Sequence, residues 1–227
     1  MANNNDLEAL LGVTFNDPKL LETALTHRSF VNENRGDNQT HNERLEFLGD
    51  AVLELVVTEY LYLTYQEPEG VLTNWRSALV KTGALSEVAT KLGLNDYIRL
   101  SRGEKHGSDR ARHQIMANTT EALIGAMYLD QDYDAVKAFI TKHIISMLPS
   151  ILASGSWQDA KSKLQEVAQE KHGFTPLYKV LSEEGPDHDK VFTVAVYVGS
   201  DLQGKGTGSS KQVAQQAAAE EALKNYS

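Results

Sequence analysis

The stretch HNERLEFLGDAVLEL, residues 41–55, decides how the first part of the chain folds. A helix turns by about 100° per residue, so it places Glu43, Glu46 and Asp50 on one narrow arc. Apolar side chains occupy the opposite side of the same helix, namely Leu45, Leu48, Val52, Leu55 and Val56. The spacing therefore predicts a helix with a carboxylate face opposite a face that belongs to a hydrophobic core.

The carboxylate face has two interpretations. A solvated acidic stripe is the ordinary one, but such stripes usually alternate with Lys or Arg three or four positions away. The neighbours of Glu43, Glu46 and Asp50 at those spacings include no basic residue. Like charges at this spacing cost roughly 0.2–0.5 kcal/mol per pair. A divalent cation bound by the carboxylates is the simplest source of compensation.

A second, weaker constellation lies in MANTTEALIGAMYLD, residues 116–130, where Asn118 and Glu121 share one face of a predicted helix. Alone, this pair would be interpreted as polar residues on an exposed turn. If the two helices cross, four oxygen-bearing side chains converge, and hard oxygen ligands favour Mg²⁺, for which Mn²⁺ can substitute. Such a centre suits metal-assisted phosphoryl chemistry.

The pattern of apolar residues divides the chain into two parts. From Leu7 to about Ser150 they recur at three and four positions, which predicts an all-α domain. Its predicted helices cover residues 18–26, 42–63, 73–92, 116–128 and 133–147. The uncharged segment PSILASGSW, residues 149–157, has the composition of a linker. We therefore expect a first domain at 1–150, a linker at 151–157 and a second domain at 158–227.

The second part predicts a small α+β domain. Its predicted helices cover residues 160–171 and 209–224, and its two clearest strands cover 177–182 and 191–198. Ser209, followed three residues later by Gln212, fits a capping box at the start of the last helix. The predicted order of elements is α-β-β-β-α.

Composition limits the function. The chain has 227 residues and no Cys, which excludes a disulfide framework, a thiolate zinc site and a cysteine nucleophile. The start MANNND is unlike a signal peptide, and no run approaches the about 18 apolar residues of a membrane helix. These features predict a cytoplasmic protein with no membrane partner.

The net charge of −9 argues, taken alone, against binding of nucleic acid. Residues 1–157 carry 14 basic and 21 acidic side chains, whereas residues 158–227 carry 8 basic and 10 acidic ones. Most of the imbalance therefore lies in the part that contains the carboxylate face.

Ordered motifs in both parts resemble a known family. NERLEFLGDAVLEL resembles the signature of bacterial ribonuclease III, and further family-like motifs are THRSF (26–30), EGVLTNWRSALV (69–80) and TEALIGAMYLD (120–130). The end of the chain is similar to a double-stranded RNA-binding domain, with DAKSKLQE, GPDHDKVF and GKGTGSSK in sequence. The resemblance covers nearly the whole chain. It implies an all-α endonuclease domain followed by a small α-β-β-β-α RNA-binding domain.

The resemblance also implies an activity and a set of functional residues. The family is a homodimeric endonuclease that uses Mg²⁺ and water to cut both strands of double-stranded RNA, leaving 5′-phosphate and 3′-hydroxyl ends. It processes ribosomal and other RNA precursors. By resemblance, the metal ligands are Glu46, Asp50, Asn118 and Glu121, of which Asp50 and Glu121 are the most closely tied to catalysis. Glu43 and Glu69 match acidic residues at the rim of the cleft, and Phe47 matches a dimer contact.

The same resemblance assigns RNA contacts in the second domain. The first helix would contact the minor groove of A-form RNA through Ser162, Gln165 and Glu166. His188, in the GPDH loop, matches a second minor-groove contact. Lys205 and Lys211 belong to a glycine-rich segment suited to phosphates, although Gln212 stands where the family usually has another Lys.

One departure from the family pattern leaves two functions open. The family has an Asp where this chain has Asn118, and an amide ligates a hard cation with one negative charge fewer. The chain is then either a double-stranded RNA endonuclease or a double-stranded RNA-binding protein with an impaired nuclease centre. A third interpretation, an acidic helical scaffold joined to a binding module, predicts no effect of metal.

Overall fold

The computed structural model describes residues 4–34, 40–155, 157, 159–186 and 190–226. The chain divides into two compact units, Met1–Trp157 and Gln158–Ser227. The first unit is helical, and the second contains a helix, three antiparallel strands and a helix, which confirms the predicted fold class.

Ten α-helices build the described part of the first unit. They are α1 (Asn4–Leu11), α2 (Pro18–Ala24), α3 (Arg28–Glu33), α4 (Glu43–Thr64), α5 (Glu69–Val80), α6 (Thr82–Lys91), α7 (Arg102–Lys105), α8 (Asp109–Asp130), α9 (Tyr133–His143) and α10 (Leu148–Ser154). Short 3-10 turns lie at Leu94–Asp96 and Ile145–Met147.

The helix α8 runs through the middle of this unit. From Ile115 to Met127 every residue is buried except Asn118 and Glu121, so α8 contacts neighbours on all sides. Its largest helix contacts are with α4 and α6. Asn118 and Glu121 therefore lie at the edge of the core, where their polar groups are partly desolvated.

The helices α4 and α8 cross at two glycines. A Cβ atom added at Gly49 would lie 1.8 Å from the carbonyl oxygen of Glu121, and one added at Gly125 would lie 2.2 Å from that of Leu45. The two backbones therefore touch, and any side chain at either position would force them apart. This contact brings the N-terminal half of α4 against the middle of α8.

Some predicted helix bounds were wrong. The single helix expected over 73–92 is two helices, because Lys81 has an extended backbone with ψ of 151°. The apolar spacing continues across this break since α5 and α6 both bury residues in the same core. The helix α8 begins at Asp109 rather than Met116, because its first turns are exposed and carry no apolar period.

Among the described residues, one segment, Tyr133–Ser154, is long and apolar enough to cross a membrane by length and composition alone. In the structure it is broken into α9, a 3-10 turn and α10. Several of its apolar side chains are buried in the first core, including Val136, Ile140 and Ile144. The segment therefore has the packing of core helices.

The expected linker overlaps the end of this segment. Ile151 and Leu152 lie in α10 and pack against the first core. The ring of Trp157 meets that of Trp75 edge to face, with centroids 5.8 Å apart. The first unit thus extends to Trp157, beyond the predicted boundary at residue 150, because apolar side chains in PSILASGSW are used for packing.

The second unit is a three-stranded sheet covered on one face by two helices. Its elements are α11 (Ala160–His172), β1 (Leu177–Glu184), β2 (Val191–Val198), β3 (Asp201–Gly208) and α12 (Lys211–Leu223). The strands pair antiparallel in the order β1-β2-β3. The core between sheet and helices contains Leu164, Val194, Val196 and the alanines of α12.

The third strand carries an alternating row of glycines because α12 lies directly on it. A Cβ atom added at Gly206 would lie 2.2 Å from the backbone nitrogen of Ala218. The N-cap of α12 is Ser210, whose hydroxyl accepts a hydrogen bond from the backbone N–H of Val213 at 3.2 Å. The capping box predicted for Ser209 and Gln212 was therefore placed one residue too early.

The contact between α4 and α8 generates a stability prediction. Gly49→Ala should lower the free energy of unfolding of the first unit by about 1–3 kcal/mol, since the new methyl group meets backbone atoms that cannot yield. Urea unfolding followed by tryptophan fluorescence reports on this unit, because both Trp residues lie in it. Gly83→Ala is the matched control, since nothing lies within 4 Å of its Cβ position. Equal stability of the two variants would contradict the close crossing.

Candidate functional site

The helix crossing places three carboxylates close together. Glu46 and Asp50 lie one turn apart on α4, on either side of Gly49, and Glu121 is the residue of α8 whose backbone touches that glycine. The charges of Asp50 and Glu46 both act on the Glu121 carboxyl group. The sequence predicted the convergence of the two constellations only for the case in which the helices cross, and α4 and α8 do cross at Gly49 and Gly125.

Burial and like charge make Glu121 and Glu46 hard to ionise. Burial, together with the charges of Asp50 and Glu46, raises the pKa of Glu121 to about 7. Burial likewise raises the pKa of Glu46, and a hydrogen-bonding interaction with the side chain of Asn118 partly opposes that rise. The three carboxylates therefore repel one another without a cation between them.

Asn118 is held within its own helix as well. Its side-chain oxygen accepts a hydrogen bond of 2.7 Å from the amide of Gln114, one turn earlier. Its interaction with Glu46 uses the amide as a donor, in a position where an Asp would add another negative charge. Gln114 was not singled out from the sequence, although its i, i+4 spacing to Asn118 could have identified it.

The two residues predicted for the cleft rim lie at opposite ends of α4. Glu43, at the helix start, pairs with Arg28 at 3.0 Å and lies 3.7 Å from His41. Glu69 begins α5 and lines a groove of about 620 Å³ beside the C-terminal end of α4. Because α4 is about 33 Å long, one chain does not bring these two carboxylates together.

The outer side of α4 carries exposed apolar side chains. Phe47 is 82 % exposed, and the same helix also exposes Leu55, Tyr62 and Leu63. Large exposed apolar side chains on one helix are candidates for contact with a partner. We call these four residues the α4 apolar surface.

The donor set fits a hard divalent cation in its chemistry. Three carboxylates and one amide oxygen are the ligands that Mg²⁺ and Mn²⁺ prefer, and mutual repulsion among the carboxylates would be relieved by a cation. In the described part of the chain, no three Asp, Glu, His or Cys side chains already stand in metal-holding positions. Side-chain rotation within the cluster would therefore accompany binding.

The structure places three of the residues predicted to bind RNA on one helix and a fourth at the start of another. Ser162, Gln165 and Glu166 are exposed on α11, and the Ser162 hydroxyl donates to Asp159, which caps this helix. Lys211 begins α12. His188 lies outside the described residues.

Lys205 does not join Lys211. It lies in β3 between two glycines that face α12, so alternation directs its side chain to the other face of the sheet. It pairs across β2 with Ala195, which in turn pairs with Lys179. The glycine-rich segment 204–211 was interpreted as one phosphate-binding stretch, but a strand divides it between two faces.

Lys211 has two partners that the sequence did not indicate. Its ammonium group forms an ion pair with Glu183 at 2.7 Å and lies 5.6 Å from the centroid of the Phe192 ring. Glu183 is on β1 and pairs with Phe192 of β2 in the sheet register. Lys211 and Glu183 are 28 positions apart in the sequence, so no local sequence pattern predicts their contact.

The described chain combines a helical unit that holds a partly buried carboxylate cluster with a helix–sheet–helix unit. The Ribonuclease-III-like family profile matches residues 17–148, and the double-stranded RNA binding motif matches residues 160–226. Ribonuclease 3 of Protochlamydia amoebophila (strain UWE25) is 46 % identical over 218 residues, covering 96 % of this chain and 89 % of the relative. Ribonuclease 3 of Enterococcus faecalis is 44 % identical over 221 residues, covering 97 % and 96 %.

A solved structure agrees with these relatives. The nuclease domain of ribonuclease III from Campylobacter jejuni is 38 % identical, covers 65 % of this chain and 99 % of that domain, and superposes with a TM-score of 0.59. The chain belongs to the ribonuclease III family, and it is an endoribonuclease of that type. Its second unit is a double-stranded RNA-binding motif.

The raised pKa of Glu121 predicts a pH-dependent stability in the absence of divalent cations. An ordinary Glu loses its proton near 4.5, whereas Glu121 in the folded protein loses it near 7. Between these values the folded state binds the proton more tightly, so the free energy of unfolding falls as pH rises. Solvent reaches this partly exposed group, so the expected fall is about 1–2 kcal/mol.

Glu121→Gln should remove this fall. We expect its advantage over the original chain to appear between pH 5 and pH 8 in urea unfolding with EDTA, followed by tryptophan fluorescence. Glu54→Gln, an exposed carboxylate of the same α4 helix, is the control and should follow the original chain. Parallel pH curves for all three proteins would refute the raised pKa.

Proposed function

We propose that this protein hydrolyses double-stranded RNA with Mg²⁺, leaving 5′-phosphate and 3′-hydroxyl ends. The observation that carries the proposal is the crossing at Gly49 and Gly125, which sets Glu46 and Asp50 beside a Glu121 of raised pKa. Carboxylates packed this closely favour a hard cation over solvent. Family membership supplies the substrate class, because the matching family is one of metal-dependent endoribonucleases.

The side chains of the cluster have distinct tasks. Glu46, Asp50, Glu121 and the amide oxygen of Asn118 would hold the cation. When bound, Mg²⁺ lowers the pKa of water and neutralises charge on phosphate oxygens. Glu121 holds a proton near neutral pH without the cation, so its carboxyl must ionise before it can serve as a ligand. The buried residues of α8 hold the backbone of Asn118 and Glu121 against α4.

We propose that the enzyme is a homodimer joined through the α4 apolar surface. Phe47 is 82 % exposed, so the described part of its own chain leaves most of the side chain open to a partner. In ribonuclease III from Campylobacter jejuni, a flexible region of the nuclease domain is involved in dimer formation. A second subunit would also bring another Glu69 into the assembly and could unite the two rim carboxylates that one chain keeps apart.

The second unit would bind duplex RNA through α11 and the start of α12. Ser162, Gln165 and Glu166 can reach 2′-hydroxyls and base edges, and Lys211 can reach phosphate at the positive end of a helix. We extend the proposal to His188 on the resemblance alone and give Lys205 no phosphate contact shared with Lys211. Precursors of ribosomal and other RNAs in the cytoplasm are the proposed substrates.

An impaired nuclease that retains RNA binding is the alternative. Asn118 favours it, because an amide contributes no charge to the cation and already interacts with Gln114 and Glu46. The RNA-binding unit would then carry the function.

A cleavage assay decides between them. The original chain should cut a radiolabelled RNA duplex when Mg²⁺ is added, and Asp50→Asn should slow cleavage by at least about a hundredfold, since the loss of a charged ligand weakens both metal binding and charge stabilisation. Asp96→Asn, an exposed substitution in a 3-10 turn, is the control. Duplex binding with no Mg²⁺-dependent cleavage would favour the alternative.

Asn118→Asp should increase cleavage at limiting Mg²⁺. The added carboxylate restores one negative charge and still accepts the hydrogen bond from Gln114, so metal affinity should rise by about tenfold or more. The measurement is the cleavage rate across a Mg²⁺ titration, with Asn95→Asp as the control for added charge. Equal rates at every concentration would show that position 118 does not limit metal binding.

A further inference from the structure

The side chain that begins α12 is charge-paired before any RNA arrives. Lys211 donates to Glu183 at 2.7 Å, and the lysine and glutamate side chains are 56 % and 40 % exposed. Lys211 also lies over the ring of Phe192, the register partner of Glu183. The bond to Lys211 holds the pKa of Glu183 below its usual range, so the carboxylate is charged at neutral pH.

The position of this carboxylate follows from the sheet. Glu183, Phe192 and Gly208 stand opposite one another across β1, β2 and β3, on the face covered by α12. A Cβ atom at Gly208 would lie 2.6 Å from a methyl group of Val213, in the first turn of α12. The row of Glu183, Phe192 and Gly208 therefore ends, at Gly208, against the first turn of α12. The position of Glu183 in β1 is fixed by this strand pairing.

We propose that Glu183 limits the affinity of this protein for double-stranded RNA by competing with the phosphate backbone for Lys211. The inference rests on the proposed phosphate contact of Lys211. Each lysine that neutralises a phosphate releases condensed counterions, and a lysine already paired with a carboxylate releases fewer. Glu183 thus reduces both the affinity and its dependence on salt.

Glu184 provides a matched comparison. It is the next residue of β1, is also exposed, and pairs with Val191, so its side chain points to the other face of the sheet. Removing either carboxylate changes the net charge by the same amount. A difference between the two variants therefore reports on the contact with Lys211 and not on overall charge.

The experiment measures binding of the full chain to a labelled RNA duplex of about 20 base pairs, longer than the about 16 that one such domain spans. EDTA prevents cleavage, and fluorescence anisotropy is recorded across a KCl titration. Glu183→Gln should tighten binding by about two- to fivefold at low salt, the scale of an exposed ion pair. It should also steepen the log–log salt slope by up to about one unit. Glu184→Gln should change both by less.

A double-mutant cycle separates this inference from the function on which it rests. Lys211→Ala alone should weaken binding, and in that background Glu183→Gln should behave like Glu184→Gln. If Lys211→Ala leaves affinity unchanged, the proposed phosphate contact of Lys211 is wrong. If Lys211→Ala weakens binding but Glu183→Gln acts like Glu184→Gln or weakens binding itself, competition by Glu183 is overturned while the RNA contact stands.

Discussion

The first unit depends on one contact, the backbone approach of α4 and α8 at Gly49 and Gly125. This approach gives the carboxylates of two helices a shared space at the edge of the core. It also desolvates Glu46 and Glu121, which works against their ionisation and against stability. The apolar packing on the other sides of both helices has to offset that cost, so the cluster exists because the core around α8 is extensive.

Charge compensation along α4 separates ordinary carboxylates from those of the cluster. Glu43 pairs with Arg28, and Glu59 accepts hydrogen bonds from Lys137 and Tyr133, which lower its pKa. The carboxyl of Glu46 meets instead like charges and an amide, and its pKa is raised. Basic or hydroxyl partners therefore compensate the charges of Glu43 and Glu59, whereas negative charge remains concentrated around Glu46. A cation would be attracted to this cluster.

Periodicity predicted the carboxylate face of α4 and the shared face of Asn118 and Glu121, because those features follow from spacing along single helices. The crossing of α4 and α8 was not predicted, since the close approach at Gly49 and Gly125 is a tertiary contact. Arg28 could not be predicted as the partner of Glu43, since α3 and α4 are separated in sequence and meet through tertiary packing. The interpretation of residues 204–211 as one binding segment was wrong for another reason. The glycines and lysines there suggested one phosphate-binding segment, whereas the glycines serve the contact of β3 with α12, and the alternation of that strand carries Lys205 away from Lys211. Glycine composition alone does not distinguish a loop from a strand covered closely by a helix.

The two units use charge in opposite senses. In the carboxylate cluster, repulsion between like charges raises the free energy of the metal-free protein. A bound cation would relieve this repulsion, and the energy released would add to the free energy of cation binding. At the start of α12, the ion pair of Glu183 and Lys211 lowers the free energy of the RNA-free protein, so a phosphate must displace or share an existing partner. A net charge of −9 is compatible with an RNA-binding enzyme because the repulsive part of that charge is gathered at the cluster where we propose that a cation binds.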